Sequence, residues 1–232
     1  MCVGIGVFNR VFISLNGLIL AFAISTSTSA QIRVVSYNSA QFNGDPVAME
    51  EVLQAASEDD SHGFATPVSI FMFQEVDEEE LSMLQKVVGP NYTMGVFTDQ
   101  NDSSWGGAQA MFYLSTQFIE NELLHQDIYT GASRHADRWA LEVLGYENQT
   151  VYVYSMHLKS ATGSENQEKR RAGAENIRDD LMTLPEGSHV IVVGDMNFYS
   201  PTEPGYIWFT NSGSGQLIDP LGNGIDWDGG SN

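Results

Sequence analysis

The 232-residue chain is strongly acidic, with 30 Asp and Glu residues against 10 Lys and Arg, for a formal net charge of −20. This charge argues against non-specific nucleic-acid binding, which depends on Lys and Arg, and it favours solubility. The 42% hydrophobic content suits one domain of the larger α/β kind, and a single cysteine, Cys2, excludes a disulfide framework.

The first 30 residues have the composition of a secretory signal peptide. They contain no acidic residue, Arg10 precedes an apolar run over residues 11–24, and a small-x-small sequence lies directly before Gln31. An uncleaved membrane anchor is the alternative, but the run is shorter than the roughly 20 residues that span a bilayer. We therefore expect a secreted or periplasmic domain, residues 31–232, with no stable membrane association after cleavage.

The first half of this domain alternates apolar runs with polar segments. The runs and their spacing predict strands at residues 32–38 and 69–73, and helices at 47–56 and 77–87. Gln74 and Glu75 follow directly after the second of these strands. The acidic start of the second helix is favoured by the helix dipole.

The second half contains further strands and one long helical pattern. Apolar runs predict strands at residues 92–97, 108–114, 139–144 and 151–156. The longest helical pattern, 165–184, precedes the β-branched run 190–193, which is typical of a strand buried on both faces. A short helix is predicted at 202–210, and the residues from 211 to 232 are predicted to form a loop.

Polar residues follow four of the predicted strands. Asn38, Glu75 and His157 each follow an apolar run, and Asp195 and Asn197 follow the run 190–193. Residues two apart on an extended segment point to the same side, and α/β proteins bind ligands at the carboxyl ends of strands. Carboxylates suit a hard cation such as Mg²⁺, which takes oxygen ligands. The alternative for Asp195 and Asn197 is an ordinary Asx turn.

These strand-end segments resemble the endonuclease/exonuclease/phosphatase superfamily, which includes deoxyribonuclease I, abasic-site endonucleases, sphingomyelinases and inositol-polyphosphate phosphatases. The matching segments are Ser36-Tyr37-Asn38, Phe73-Gln74-Glu75-Val76, Tyr154-Ser155-Met156-His157-Leu158-Lys159-Ser160 and Val193-Gly194-Asp195-Met196-Asn197. Their order and spacing agree with the family from about residue 31 to residue 220. The resemblance implies an α+β fold, a four-layer sandwich of two mixed β-sheets packed face to face with helices outside.

The resemblance also implies roles for these residues. Glu75 would bind the divalent metal, Mg²⁺ or another cation such as Mn²⁺ or Ca²⁺, and Asn38 would support the metal or the phosphate. His157 would act as general acid or phosphate ligand. Asp195 would orient or deprotonate the attacking water, and Asn197 would stabilise the transition state.

One arginine and one histidine near the predicted strand 139–144 are further candidates. Arg138, interpreted as opening that strand, occupies the place of a phosphate-contacting arginine in deoxyribonuclease-like members. His135 lies near Arg134 and Arg138 in sequence and is a weaker candidate for contact with phosphate, with packing as the default interpretation.

One departure from the family pattern affects the predicted function. The family closes with an Arg-Ile-Asp-Tyr-like strand and a Ser-Asp-His motif, and this sequence reaches Asn232 without either. We therefore expect a fragment that lacks the last strands. The prediction is a monomeric, secreted, metal-dependent phosphodiesterase acting on phosphodiesters, with nucleic acid as the leading substrate. The alternatives are a phospholipid or small-molecule phosphoesterase, and a non-catalytic domain or inactive fragment of the same fold.

Overall fold

A computed structural model describes residues 31–40, 45–59, 67–100, 108–132 and 134–222. The predicted signal peptide and the last ten residues lie outside this part of the chain, so cleavage and the missing strands stay predictions. Within the described residues, no helix has both the length and the apolar character needed to cross a bilayer.

Within the described ranges, the first sheet has four strands. In spatial order they are β1 (Val34–Asn38), β2 (Ile70–Val76), β4 (Ala108–Leu114) and β3 (Tyr92–Met94). β1 and β2 are parallel, while β4 runs antiparallel to both of its neighbours. The parallel pair places the carboxyl ends of β1 and β2 side by side.

Five strands of the second sheet lie in the part of the chain that the structure describes. They are β5 (Phe118–Glu120), β6 (Gln126–Gly131), β7 (Arg134–Val143), β8 (Thr150–His157) and β9 (His189–Asp195). β7 pairs antiparallel with β5, β6 and β8, and β8 pairs parallel with β9. The carboxyl ends of β8 and β9 therefore also lie side by side.

Helices cover the outer face of each sheet. They are α1 (Pro46–Glu58), α2 (Leu81–Val88), α3 (Ser164–Leu181) and α4 (Pro204–Thr210), with short 3₁₀ helices at Glu78–Glu80 and Glu122–Leu124. Helix α1 begins at Pro46, one residue before the predicted start, because the Asp45 carboxylate accepts a hydrogen bond from the Val47 amide and Pro46 occupies the first turn.

Three apolar clusters show that the domain is a four-layer α+β sandwich. One, including Leu53 and Phe112, lies between α1, α2 and the first sheet. Another, including Ile177 and Tyr154, lies between α3, α4 and the second sheet. The third, centred on the fully buried Trp139, joins the two sheets face to face. The fold expected from the resemblance is confirmed.

The structure departs from the predicted elements mainly in the second sheet. Strands β5 and β6 were not predicted, because β5 has only three residues and Ile128 is the single buried apolar residue of β6. Strand β7 begins at Arg134 instead of residue 139, since its first residues are polar and read as a loop in sequence.

Candidate active site

The carboxyl ends of four strands meet at one edge of the sandwich. The β1–β2 and β8–β9 pairs are both parallel, and β1 and β2 pack across from β9. The side chains that end these strands in sequence therefore converge, as ligand sites do at the carboxyl ends of strands.

An imidazole and two carboxylates form the centre of this edge. The Nε2 atom of His157 lies 3.4 Å from Oε1 of Glu75 and 3.7 Å from Oδ2 of Asp195. The Nδ2 atom of Asn38 donates to the same two oxygen atoms, at 2.8 Å and 3.1 Å. Four of the predicted site residues are thus held in one cluster. Because the structure joins them across both sheets, the cluster depends on the sandwich being formed.

An unusual backbone conformation directs Glu75 into this cluster. Strand β2 carries a bulge between Gln74 and Val76, and Glu75 has a φ of +56°. Phe73 and Val76 both pack into the apolar cluster beneath α1 and α2. The bulge turns the Glu75 side chain away from that cluster, and bulges of this kind re-aim side chains beside active sites.

Gly194 allows β9 to lie close against β8. Its φ is +132°, and a Cβ atom there would lie 2.1 Å from the carbonyl oxygen of Met156. Only glycine accepts both the conformation and the approach. The residue therefore fixes the position of Asp195, which follows it directly.

Asp195 and Asn197 form the Asx turn that their spacing suggested as an alternative. The amide of Asn197 donates to Oδ1 of Asp195 at 3.1 Å, and Nδ2 of Asn197 donates to the carbonyl of Leu158 at 3.1 Å. The other carboxylate oxygen, Oδ2, faces His157 and Asn38. The turn and the site are the same structure, because one oxygen stabilises the turn while the other faces the cleft.

Arg138 does not join the cluster, which corrects the sequence-based assignment. Its guanidinium forms an ion pair with Asp180 of α3 at 2.6 Å, and the Tyr154 hydroxyl donates to the same carboxylate at 2.7 Å. Because β7 begins at Arg134, Arg138 is an interior strand residue on the face that packs against α3. It pairs across the sheet with Tyr154, whose ring belongs to the outer cluster.

Arg134 is the cation that the structure places at the cluster. Its Nη1 atom donates to the carbonyl of Leu158, which also accepts from Asn197. Partial burial lowers the pKa of the Arg134 guanidinium, and the charges of Glu75 and Asp195 act in the opposite direction. Arg134 and Arg138 belong to one polar run, so no local sequence feature favours Arg134 over Arg138.

A buried hydrogen-bonded chain lies directly beneath the cluster. The Gln74 amide donates to the Ser155 hydroxyl at 2.8 Å, and this hydroxyl donates to the Gln109 carbonyl at 2.9 Å. The side chains of all three residues are buried. The Ser36 hydroxyl also donates to Oε1 of Gln74, at 3.3 Å. Buried polar groups that satisfy one another fix the spacing of the elements that carry them. Here the chain links β2, β4 and β8.

Two further histidine–carboxylate pairs involve β7, one with His125, which directly precedes β6, and one with Asp127 of β6. Nε2 of His125 lies 3.3 Å from Asp137, and burial raises the pKa of the Asp137 carboxyl to about 6. Nearer the cleft, Nδ1 of His135 lies 2.8 Å and 3.0 Å from the two oxygen atoms of Asp127. Neither pairing was predicted from the sequence, because β6 was not recognised as a strand.

The residues of the cluster fit a divalent cation. One ligand atom from each of Glu75, His157 and Asp195 lies within 4.8 Å of the other two. A hard cation such as Mg²⁺ usually takes one or two carboxylates and keeps several waters, and two partly exposed carboxylates are present. Asn38 approaches them as a donor, while its Oδ1 accepts from the Ala40 amide at 2.9 Å, so a metal-ligand role for Asn38 stays a prediction.

Comparison with known proteins supports the family expected from the sequence and the fold described above. A model of the endonuclease/exonuclease/phosphatase family matches residues 35–230, and no curated protein matches the chain. A Bacteroides vulgatus structure described as an endonuclease/exonuclease/phosphatase is 16% identical, with a TM-score of 0.59 over 78% of this chain and 71% of that one.

Two eukaryotic structures are similar to a comparable degree. The human Nocturnin catalytic domain with bound sulfate is 23% identical, with a TM-score of 0.55 over 78% of this chain and 70% of that one. D. rerio TDP2, complexed with a single-strand DNA product, is 16% identical, with a TM-score of 0.54 over 73% of this chain and 62% of that one. Identities this low show the shared fold. The chain spans 66–70% of the length of the first structures it matches.

Proposed function

The chain belongs to the endonuclease/exonuclease/phosphatase family, whose members are phosphoester hydrolases, and on that premise we propose that it is a divalent-metal-dependent phosphodiesterase. The observation that supports the proposal is the placement of His157 between the carboxylates of Glu75 and Asp195. Phosphodiester hydrolysis needs an activated water, stabilisation of charge on the phosphoryl oxygens and a proton for the leaving oxygen. The cluster supplies groups for the first two needs.

Each residue of the cluster has a specific task in this proposal. Glu75 holds the cation, which when bound supplies positive charge to a phosphoryl oxygen and acidifies a water. Asp195 accepts the proton of the attacking water, and its orientation is fixed by Asn38 and by the amide of Asn197.

The phosphate itself is contacted by donors on the rim of the cluster. His157 directs Nε2 toward the cleft between the two carboxylates, where it donates to a phosphoryl oxygen. Arg134, fixed through the Leu158 carbonyl, adds a positive charge. Charge-assisted hydrogen bonds of this kind stabilise the negative charge that develops on the phosphoryl group.

Nucleic acid is the leading substrate class, and the complex of D. rerio TDP2 with a single-strand DNA product supports it by analogy alone. A phospholipid or a small phosphodiester is the second candidate. It is favoured by the net charge of −20, because a strongly acidic surface repels a long polyanion. The composition of residues 1–30 supports secretion as part of the proposal.

The experiment that tests the proposal is hydrolysis of bis(4-nitrophenyl) phosphate by the purified protein. We expect activity with Mg²⁺ or Mn²⁺, its loss with EDTA, and its recovery when the cation is restored. Glu186→Gln, which changes an exposed acid in a turn outside the site, should match the wild type. A folded protein that releases no nitrophenol with Mg²⁺, Mn²⁺ or Ca²⁺ contradicts the proposal and favours the non-catalytic alternative.

A further inference from the structure

We propose that His135, oriented by Asp127, is a second catalytic histidine of this site and donates the proton to the leaving oxygen. The inference rests on the proposed phosphodiesterase function and names a residue for the step that the central cluster leaves without one. His157 has a side chain that is 4% exposed and lies against two carboxylates, whereas that of His135 is 18% exposed.

Strand register places His135 beside the cluster. Ala136 pairs with Met156 in the antiparallel β7–β8 ladder, so the next residues toward the cleft, His135 and His157, lie opposite each other. His157 in turn pairs with Asp195 on β9. Residues directly opposite in a ladder point to the same face of the sheet. His135, His157 and Asp195 therefore form one row across three strands, on the face that meets the first sheet.

The spacing of this row suits a substrate that spans it. Neighbouring strands lie about 4.8 Å apart, so His135 is one strand from His157 and two strands, or about 10 Å, from Asp195. A phosphoryl group bound at the cluster has the attacking water on the Asp195 side. In an in-line displacement the leaving oxygen lies on the opposite side of phosphorus, which is toward β7.

Asp127 gives His135 the orientation that a proton donor needs. Both carboxylate oxygens lie within 3.0 Å of Nδ1, so Nδ1 is the nitrogen that donates to Asp127 and Nε2 is left for the reacting group. The Tyr129 ring contacts the imidazole edge-on, at 5.1 Å between centroids, and restricts its rotation.

The proposed step forms one bond to phosphorus, breaks one, and transfers two protons. The water oxygen bonds to phosphorus and its proton passes to Asp195, while the bond from phosphorus to the leaving oxygen breaks. The Nε2 proton of the His135 imidazolium passes to that oxygen, which leaves as an alcohol. The products are a phosphate monoester and an alcohol, and solvent exchange returns both residues to their starting protonation states.

The test uses leaving groups that differ in their need for a proton. Methyl 4-nitrophenyl phosphate releases a stable phenolate, whereas methyl phenyl phosphate releases a more basic one. We expect His135→Ala to lower kcat/KM about 10²-fold for the phenyl ester and only about threefold for the nitrophenyl ester. Added imidazole should restore part of the lost activity. Asp127→Asn should also lower kcat/KM more for the phenyl ester than for the nitrophenyl ester, but by smaller factors than His135→Ala.

The controls separate this inference from the proposed function. His189→Ala removes an exposed histidine at the far end of β9 and should leave both esters unaffected, and melting curves of His135→Ala and His135→Gln report folding. Equal losses on the two esters, or no loss on either, overturn the assignment of His135 while the wild type stays a phosphodiesterase. A wild type that hydrolyses neither ester overturns the proposed function, and this inference with it.

Discussion

The Nε2 atom of His157 lies 3.4 Å from Oε1 of Glu75, although the two residues belong to different sheets. This contact across the sandwich is made possible by the bulge that turns Glu75 out of β2. The buried hydrogen bond from Gln74 to Ser155 lies directly beneath it. The geometry of the site is therefore set by how the two sheets pack, and variants can test the chemistry separately from the packing.

Replacing Glu75 by Gln should weaken metal binding while leaving the fold intact. A neutral amide is a poorer ligand for a hard cation than a carboxylate, and the side chain is partly exposed, so little packing is lost. Isothermal titration calorimetry with Mg²⁺ or Mn²⁺ measures the change, with Glu186→Gln as the matched control. Equal affinities in Glu75→Gln and the wild type would remove Glu75 from the metal site.

Arg134 and Arg138 should respond in opposite ways to the same substitution. Arg134→Gln should lower kcat/KM for a phosphodiester about tenfold or more, because a charge-assisted contact to phosphate is lost, and should barely change the melting temperature. Arg138→Gln should lower stability by about 3 kcal/mol, because it leaves the partly buried Asp180 without its ion-pair partner. Thermal melts beside initial rates measure both effects. The reverse pattern would reinstate Arg138 as the phosphate contact.

Gly194→Ala should be among the most destabilising small substitutions in the chain. The new Cβ atom would collide with the Met156 carbonyl at 2.1 Å and would require a φ of +132°. We expect a loss of more than about 3 kcal/mol by urea denaturation. The matched control is Gly187→Ala, which also has a positive φ but an open Cβ position, and should cost about 1 kcal/mol. Similar losses in the two variants would contradict the close approach of β9 to β8.

The buried Asp137 should make stability fall as pH rises. Burial raises the pKa of its carboxyl from 3.8 to about 6, so between these values the folded state binds a proton that the unfolded state does not. The contribution of Asp137 is fully present below about pH 4 and is lost as pH rises through about 6, by about 3 kcal/mol in total. The free energy of unfolding, measured by urea denaturation over this pH range, should therefore fall with pH more steeply in the wild type than in Asp137→Asn. The same pH dependence of the unfolding free energy in both proteins would contradict a raised pKa at Asp137.

The strand ends of the site were predictable from sequence, because buried strands have strong apolar runs. Asn38, Glu75, His157 and Asp195 each follow such a run, and β4 was predicted with the bounds that the structure has, Ala108–Leu114. The two-sheet architecture came from the resemblance to the family. Composition and periodicity were compatible with it but did not distinguish it from other folds.

Other features of the site depend on tertiary structure that has no local signal. The positive φ of Glu75 results from a bulge, and nothing in the surrounding residues marks it. The first residues of β7 are polar and resemble a loop in sequence, so neither the start of the strand nor its register could be predicted. Arg138 was therefore expected at the beginning of the strand and in the cleft. The pairing of His135 with Asp127 required β6, a strand with only one buried face.

His157 and Asp195 are proposed to act on one phosphoryl group, and alanine variants of the two residues separate this role from a purely structural one. Rates on bis(4-nitrophenyl) phosphate with saturating Mg²⁺ should be measured for His157→Ala and Asp195→Ala beside their melting curves. We expect the rate of each variant to fall by a factor of roughly 10²–10⁴ while the variant remains folded. Folded variants with activity within a few-fold of wild type would contradict it and would leave His157 as a packed strand-end residue and Asp195 as a turn former.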